Sequence, residues 1–254
     1  MLYDCRTVAE RDRGIAAAVE AVKSGELVVL PTDTVYGIGA DAFTAHAVSA
    51  LHSARNADRR VPPPVLVGSR HTLDGLVYSL PKAARELADA FWPGALTIMV
   101  EHSPSLQWDL GETGGVIGVR MPLHPVALEV LREVGPMCVT TANKVGQPAP
   151  LTAEEAREQL EYSVRIYLEA GPAGEPAPST VVDVTGDVPR VLRIGAVPLE
   201  KLLDVRPDIQ APEGPGFSLP SGGPGTGSGT APEGPGFSVP SGGPGTGSGS
   251  APEA

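Results

Sequence analysis

Residues 27–42 read LVVLPTDTVYGIGADA. Leu27 to Leu30 form an apolar run that predicts a buried strand, and Pro31 ends it. Thr32, Asp33, Thr34 and Tyr36 follow, then two glycines, Gly37 and Gly39. Hydroxyls and a carboxylate directly after a buried strand can form the rim of a ligand site, because open α/β sheets bind ligands beyond their strand ends. The same residues also suit a plain turn. The glycine spacing fits neither a Walker A loop nor a dinucleotide fingerprint.

Working outward, Ile15, Val19 and Val22 recur at helical spacing over residues 9–24, and Gly25 follows as a cap. Further helices are expected at 44–54, in TLDGLVYSL and PKAARELADAFW, at 124–135 and at 198–204. TAEEAREQL opens with Thr152 and Glu155 in the spacing of a capping box. Strands are expected at 64–68, 95–101 and 115–122, and in MCVTTAN, VRIYLEA, STVVDVT and RVLRIG. About seven strands alternating irregularly with helices predict an α/β fold. The expected architecture is a twisted mixed open sheet flanked by helices around a concave pocket.

Past residue 206 the composition changes. APEGPGFSLPSGGPGTGSGT (211–230) is followed by the nearly identical APEGPGFSVPSGGPGTGSGS (231–250). Such a repeat cannot bury enough apolar surface to offset chain entropy, so residues 207–254 are expected to be a disordered tail behind a domain of residues 1–206. The net charge is −11, and residues 211–254 contribute only Glu213, Glu233 and Glu253 among charged side chains, so the domain itself is acidic. That argues against nucleic-acid binding through a globally basic surface and leaves room for a local basic pocket. Cys5 and Cys138 fit no metal motif, and Cys138 in PMCVT reads as a buried thiol. Neither a signal peptide nor a membrane span is visible, so a soluble cytoplasmic protein is expected.

Several polar groups cluster at element ends. Arg55, Arg59 and Arg60 follow a helix; guanidinium groups grip carboxylates or phosphates, although charge runs also occur as solvated patches. Arg120 ends the strand VIGVR, a position that suits a carboxylate anchor, with His124 at a helix start beyond it. TTAN (140–143) sets two hydroxyls and an amide after a strand. Ser179, Thr180 and Arg193 are weaker signals of the same kind. No nucleophile–base pair in triad order and no metal-ligand cluster is visible, which points to positioning and charge neutralisation over covalent catalysis.

Taken together and in order, GELVVLPTDTVYGIGADA, FWPGALTIMV, VIGVRMPLHP, TTANKVGQP, PSTVVDV and RVLRIGAV resemble the threonylcarbamoyl-AMP synthases, the YrdC-like family. The resemblance spans nearly all of residues 10–200. It implies formation of threonylcarbamoyl-AMP and pyrophosphate from L-threonine, bicarbonate and ATP, for N6-threonylcarbamoyladenosine at tRNA position 37. By motif position it implies threonine contacts from Thr34, Arg120, Thr141 and Ser179. ATP contacts are implied for Arg55, Asn143 and Arg193, with Arg55 in a catalytic role. It also implies Mg²⁺ accompanying ATP, downstream threonylcarbamoyl transferase proteins as partners, and tRNA or double-stranded RNA as a further partner.

The chain departs from the family pattern at one point that bears on the phosphates. Where the family shows Lys-x-Arg, this chain has Arg55-Asn56-Ala57, and Val145 stands in place of a serine. Arg59 or Arg60 could fill the gap left at Ala57. The alternative is a relative that binds nucleotide, threonine or RNA without making the adenylate.

Overall fold

The computed structural model describes residues 1–174 and 177–212. Most of the expected tail, from residue 213 on, lies outside the described residues. The strands are β1 (Leu2–Asp4), β2 (Val28–Leu30), β3 (Gly37–Asp41), β4 (Val65–Leu66), β5 (Leu96–Glu101), β6 (Val116–Arg120), β7 (Met137–Thr141), β8 (Ile166–Glu169), β9 (Thr180–Asp183) and β10 (Arg190–Arg193). They form one ten-stranded sheet in the order β1-β8-β2-β3-β7-β4-β6-β5-β9-β10. Parallel pairs (β1–β8, β8–β2, β4–β6, β5–β9) mix with antiparallel ones, as the irregular alternation predicts.

Two of the ten strands, β1 and β3, lie outside the segments expected as strands, each for a physical reason. β1 is three residues long, too short for any periodicity to show, and it exists because its backbone pairs with β8 at the sheet edge. β3 reads as a loop because one of its faces is glycine. A Cβ on Gly37 would meet Val139 Cγ1 at 2.6 Å, and one on Gly39 would meet Met137 Cε at 2.8 Å. The glycines of the opening stretch therefore belong to a strand over which the side chains of β7 lie.

The helices are α1 (Val8–Lys23), α2 (Ala45–Arg55), α3 (His71–Leu76), α4 (Lys82–Phe91), α5 (Pro125–Val134), α6 (Ala153–Leu160) and α7 (Leu199–Val205). Their ends match the expected signals. Gly25 adopts φ +75°, its N–H bonds Val22 O, and Glu26 N–H bonds Ala21 O, which is the Schellman pattern. Thr152 Oγ1 accepts from Glu155 N–H at 3.1 Å, and the Glu155 carboxylate accepts from Leu151 N–H at 2.7 Å. Chain order persists past α7: Ile209 is buried and Gln210 pairs with Arg190 along the outer edge of β10.

Two apolar clusters lie on the two faces of the sheet. Val29, Ile38, Val65, Cys138, Val119, Ile98 and Val182 share one face with residues of α2, α4, α6 and α7. Val28, Leu30, Leu66, Met137, Val139, Ile166 and Leu168 share the other with α1 and α5. Both cysteines are free and buried; burial pushes the Cys5 thiol up to about 11 and that of Cys138 further still. Among the described residues, no helix is long and apolar enough to cross a membrane.

Candidate functional site

The second apolar cluster stops at Leu66 and takes no residue from β5, β6, β9 or β10. Register and two-residue alternation identify the side chains that continue that same face. Leu66 pairs with Arg120, Gly118 with Met99, and Val181 with both Thr97 and Arg193. A face that is apolar beneath α1 and α5 thus turns polar at Arg120, Thr97 and Arg193, with Ser179 just before β9. Buried polar groups on a sheet face need partners.

Arg120 finds its partners in the opening stretch. Its Nη2 donates to Asp33 Oδ1 at 2.6 Å, Nη1 to Thr34 Oγ1 at 3.2 Å, and Nε to Gly94 O at 3.0 Å. In sheet order β2 and β6 are four strand spacings apart, about 19 Å in a flat sheet. A 2.6 Å ion pair between groups hung from these strands requires the 31–35 loop to reach across the sheet face towards β6. That loop is braced internally: Thr32 Oγ1 lies 3.0 Å from Thr34 Oγ1 and donates to Val35 O at 2.6 Å. Asp33 Oδ1 also accepts from Leu123 N–H at 2.9 Å, tying the loop to the chain after β6.

On the far side of β5, Arg193 donates from Nε to Ser179 O at 3.0 Å and from Nη2 to Ser179 Oγ at 3.1 Å. Ser179 Oγ lies 2.9 Å from Thr97 Oγ1. Among the described residues no carboxylate forms an ion pair with Arg193, whereas Arg120 has Asp33. Burial lowers the pKa of both arginines, and the charge of Arg120 lowers that of Arg193 further, while Asp33 counteracts the effect on Arg120. Two cations thus sense each other, and only Arg120 has a carboxylate partner among the described residues. An anion placed between them relieves that imbalance.

A third group forms at the end of β7. Arg55 donates from Nε to Asn143 O at 2.9 Å, from Nη2 to Asn143 Oδ1 at 3.4 Å and from Nη1 to Thr140 Oγ1 at 3.1 Å. The Asn143 amide donates to Gln147 O at 2.7 Å and shapes the 143–147 turn. Ala142 N–H bonds Tyr36 O, so this group adjoins the end of the 31–36 loop. Thr141 lies opposite Gly37 on the polar side of the sheet and stands apart from the other expected residues in hydrogen bonding.

The chain folds into the Sua5/YciO/YrdC pattern along most of its length: the family profile described as "Telomere recombination" matches residues 20–195. The chain belongs to the Sua5/YciO/YrdC family. It is 59% identical over 203 residues to a putative threonylcarbamoyl-AMP synthase of Mycobacterium tuberculosis H37Rv, covering 80% of this chain and 94% of that one. It is 33% identical to the threonylcarbamoyl-AMP synthase of Bacillus subtilis, covering 80% of this chain and 59% of that longer protein. Among solved structures, Pyrococcus abyssi Sua5 complexed with L-threonine superposes with a TM-score of 0.76 at 31% identity, covering 83% of this chain and 62% of that one.

The structure joins Thr34 to Arg120, Ser179 to Arg193 and Arg55 to Asn143. It does not bring a second guanidinium to the place of Ala57. Arg59 donates to Ser49 Oγ and pairs with Asp109 at 2.6 Å, while Arg60 pairs with Asp58 at the surface. His124 sits at the N-cap of α5, yet its ring makes no capping bond. Two partners were missed from sequence. Asp33 lies in the opening stretch, where its carboxylate also fits a turn; Thr97 is a single hydroxyl in an apolar run. Cavities of about 190 Å³ between α3 and α4 and about 330 Å³ beside Tyr78 and His102 lie elsewhere, and no residue of this cluster lines them.

Proposed function

We propose that this protein is a threonylcarbamoyl-AMP synthase, using the polar sheet face between Arg120 and Arg193 for its amino-acid substrate. The observation that carries the reading is the buried Arg120, paired with Asp33, beside the half-buried Arg193, which has no carboxylate partner among the described residues, in a protein of net charge −11. A general anion patch would be exposed and mobile; this one is walled by hydroxyls at fixed distances.

The reaction sets the tasks. Threonine's amine forms an N–C bond with the carbon of bicarbonate, water leaves, and a carbamate results. A carbamate oxygen then bonds the α-phosphorus of ATP while the bond from that phosphorus to the bridging oxygen breaks, releasing pyrophosphate. Neither step needs a protein nucleophile; both need two weakly reactive partners held together and their charge neutralised. Arg120 has two of its five N–H groups left after its protein partners, enough for a forked bond to the threonine carboxylate. Thr34, Thr141 and Ser179 supply hydroxyls for the amino acid. Arg193 lies towards the developing phosphate charge, and Arg55 with Asn143 holds the nucleotide from the end of β7.

Mg²⁺ enters with ATP. The ion would be carried on the phosphate oxygens of the nucleotide, with water completing its shell. Threonylcarbamoyl transfer to tRNA by partner proteins in the cytoplasm completes the reading. The test is pyrophosphate release with each substrate omitted in turn. Release only when L-threonine, bicarbonate and ATP are all present supports the synthase. Stabilisation by ligands without turnover would identify a binding relative.

A further inference from the structure

Thr97 has no part in the roles above, yet it occupies the floor of the site. It lies on β5, between β6 with Arg120 and β9, which Ser179 immediately precedes. Continuing the Ile98–Val119 register by one residue sets it opposite Arg120. It is 6% exposed on a strand otherwise made of apolar side chains up to Glu101. The neighbouring strand is cut back to accommodate it: a Cβ on Gly118 would come within 3.0 Å of Thr97 Cγ2.

Among the described residues its side chain has one hydrogen-bond partner, Ser179 Oγ at 2.9 Å. The direction of that bond comes from counting protons. A hydroxyl has one O–H and two lone pairs. Arg193 can only donate, so its Nη2 contact at 3.1 Å takes one lone pair of Ser179. If Ser179 donated to Thr97, the buried Thr97 proton would have no acceptor among the described residues, an unfavourable arrangement. If Thr97 donates, both Ser179 lone pairs are filled and the proton without a protein acceptor is that of Ser179, which lies beside the half-buried Arg193 and not on the strand beneath, where a ligand can accept it. We infer that Thr97 is a positioning residue: with Arg193 it fixes Ser179 as an outward hydrogen-bond donor aimed at an acceptor-only group, the carboxylate of the amino-acid substrate. This rests on the reading of the site as an amino-acid site and adds to it the origin of the donor's direction.

The test is calorimetric titration of the full chain with L-threonine and, separately, with Mg²⁺ and ATP. Thr97→Val keeps the shape and removes the hydroxyl; Thr97→Ser keeps the hydroxyl. Threonine affinity is expected to fall about tenfold in Thr97→Val, the scale of one charged hydrogen bond, to return to within about twofold of the parent in Thr97→Ser, and ATP affinity to stay level. In a Ser179→Ala background the further change Thr97→Val should alter threonine affinity by less than about twofold, because its partner is gone. Undiminished threonine binding by Thr97→Val, or a parallel loss of threonine and ATP binding, overturns the inference and leaves the proposed function standing. Failure of the parent to bind threonine overturns both. If Thr97→Val does not fold, Thr97→Cys, close in volume and a weak donor, is read by the same criteria.

Discussion

Replacing Asp33 by Asn removes one charge from the centre of the site and leaves its shape. Asp33 Oδ1 accepts from Arg120 at 2.6 Å and from Leu123 N–H at 2.9 Å, and an amide oxygen can stay in the same place. The guanidinium, 7% exposed, would then lack a counter-ion. Removing one partner of a buried ion pair costs about 3–5 kcal/mol, and the retained neutral hydrogen bonds bring the expected loss to about 2–3 kcal/mol. For a domain of this size that lowers the thermal midpoint by roughly 4–12 °C. Substrate reverses the effect in part, since a threonine carboxylate supplies the missing charge. Saturating L-threonine should therefore raise the midpoint of Asp33→Asn by more than it raises that of the parent. Differential scanning calorimetry with and without threonine decides the matter. A variant within about 1 °C of the parent, or one that threonine stabilises no more than the parent, refutes the claim that Arg120 is a desolvated cation awaiting an anion.

Three further outcomes are expected. Burial, reinforced by the charges of Arg59 and Arg55, lowers the pKa of His52 below its ordinary 6.5, and burial does the same to His124. The unfolded chain then takes up protons first, so stability is lost as pH falls from about 6.5 through the depressed folded values; His52→Leu should flatten the slope of thermal midpoint against pH, and an unchanged slope counts against the account. Arg55→Lys combined with Ala57→Arg should lower the KM for ATP by roughly tenfold, because Arg59 and Arg60 are engaged with Asp109 and Asp58; steady-state kinetics showing no change would mean that the gap at Ala57 is filled. Gly39→Ala should cost about 1–3 kcal/mol in urea unfolding, since its Cβ would meet Met137 Cε at 2.8 Å, and a neutral result would show that Met137 moves freely.

The elements that the sequence made legible are those with a complete local signal. α1 has a 3.6-residue stripe and a Gly25 cap, and α6 has its Thr152–Glu155 box, so both were readable without tertiary information. β3 and β1 were not, because their reasons for existing lie in other strands: the side chains of β7 over Gly37 and Gly39, and the backbone of β8 beside Leu2–Asp4. The site divides the same way. Arg120 announces itself as a charge at the end of an apolar strand. Asp33 and Thr97 acquire meaning only when the loop after β2 reaches Arg120 on β6 and β5 settles between β6 and β9.

The central claim is that threonine, bicarbonate and ATP meet at this site and leave as one adduct. Incubating the full chain with ATP, L-threonine and ¹³C-bicarbonate, then measuring the mass of the AMP-containing product, tests it in a single step. The account predicts an adduct of AMP and threonine carrying the labelled carbon, absent when any substrate is withheld. An AMP–threonine adduct without the label, or no adduct alongside intact ligand binding, would contradict it.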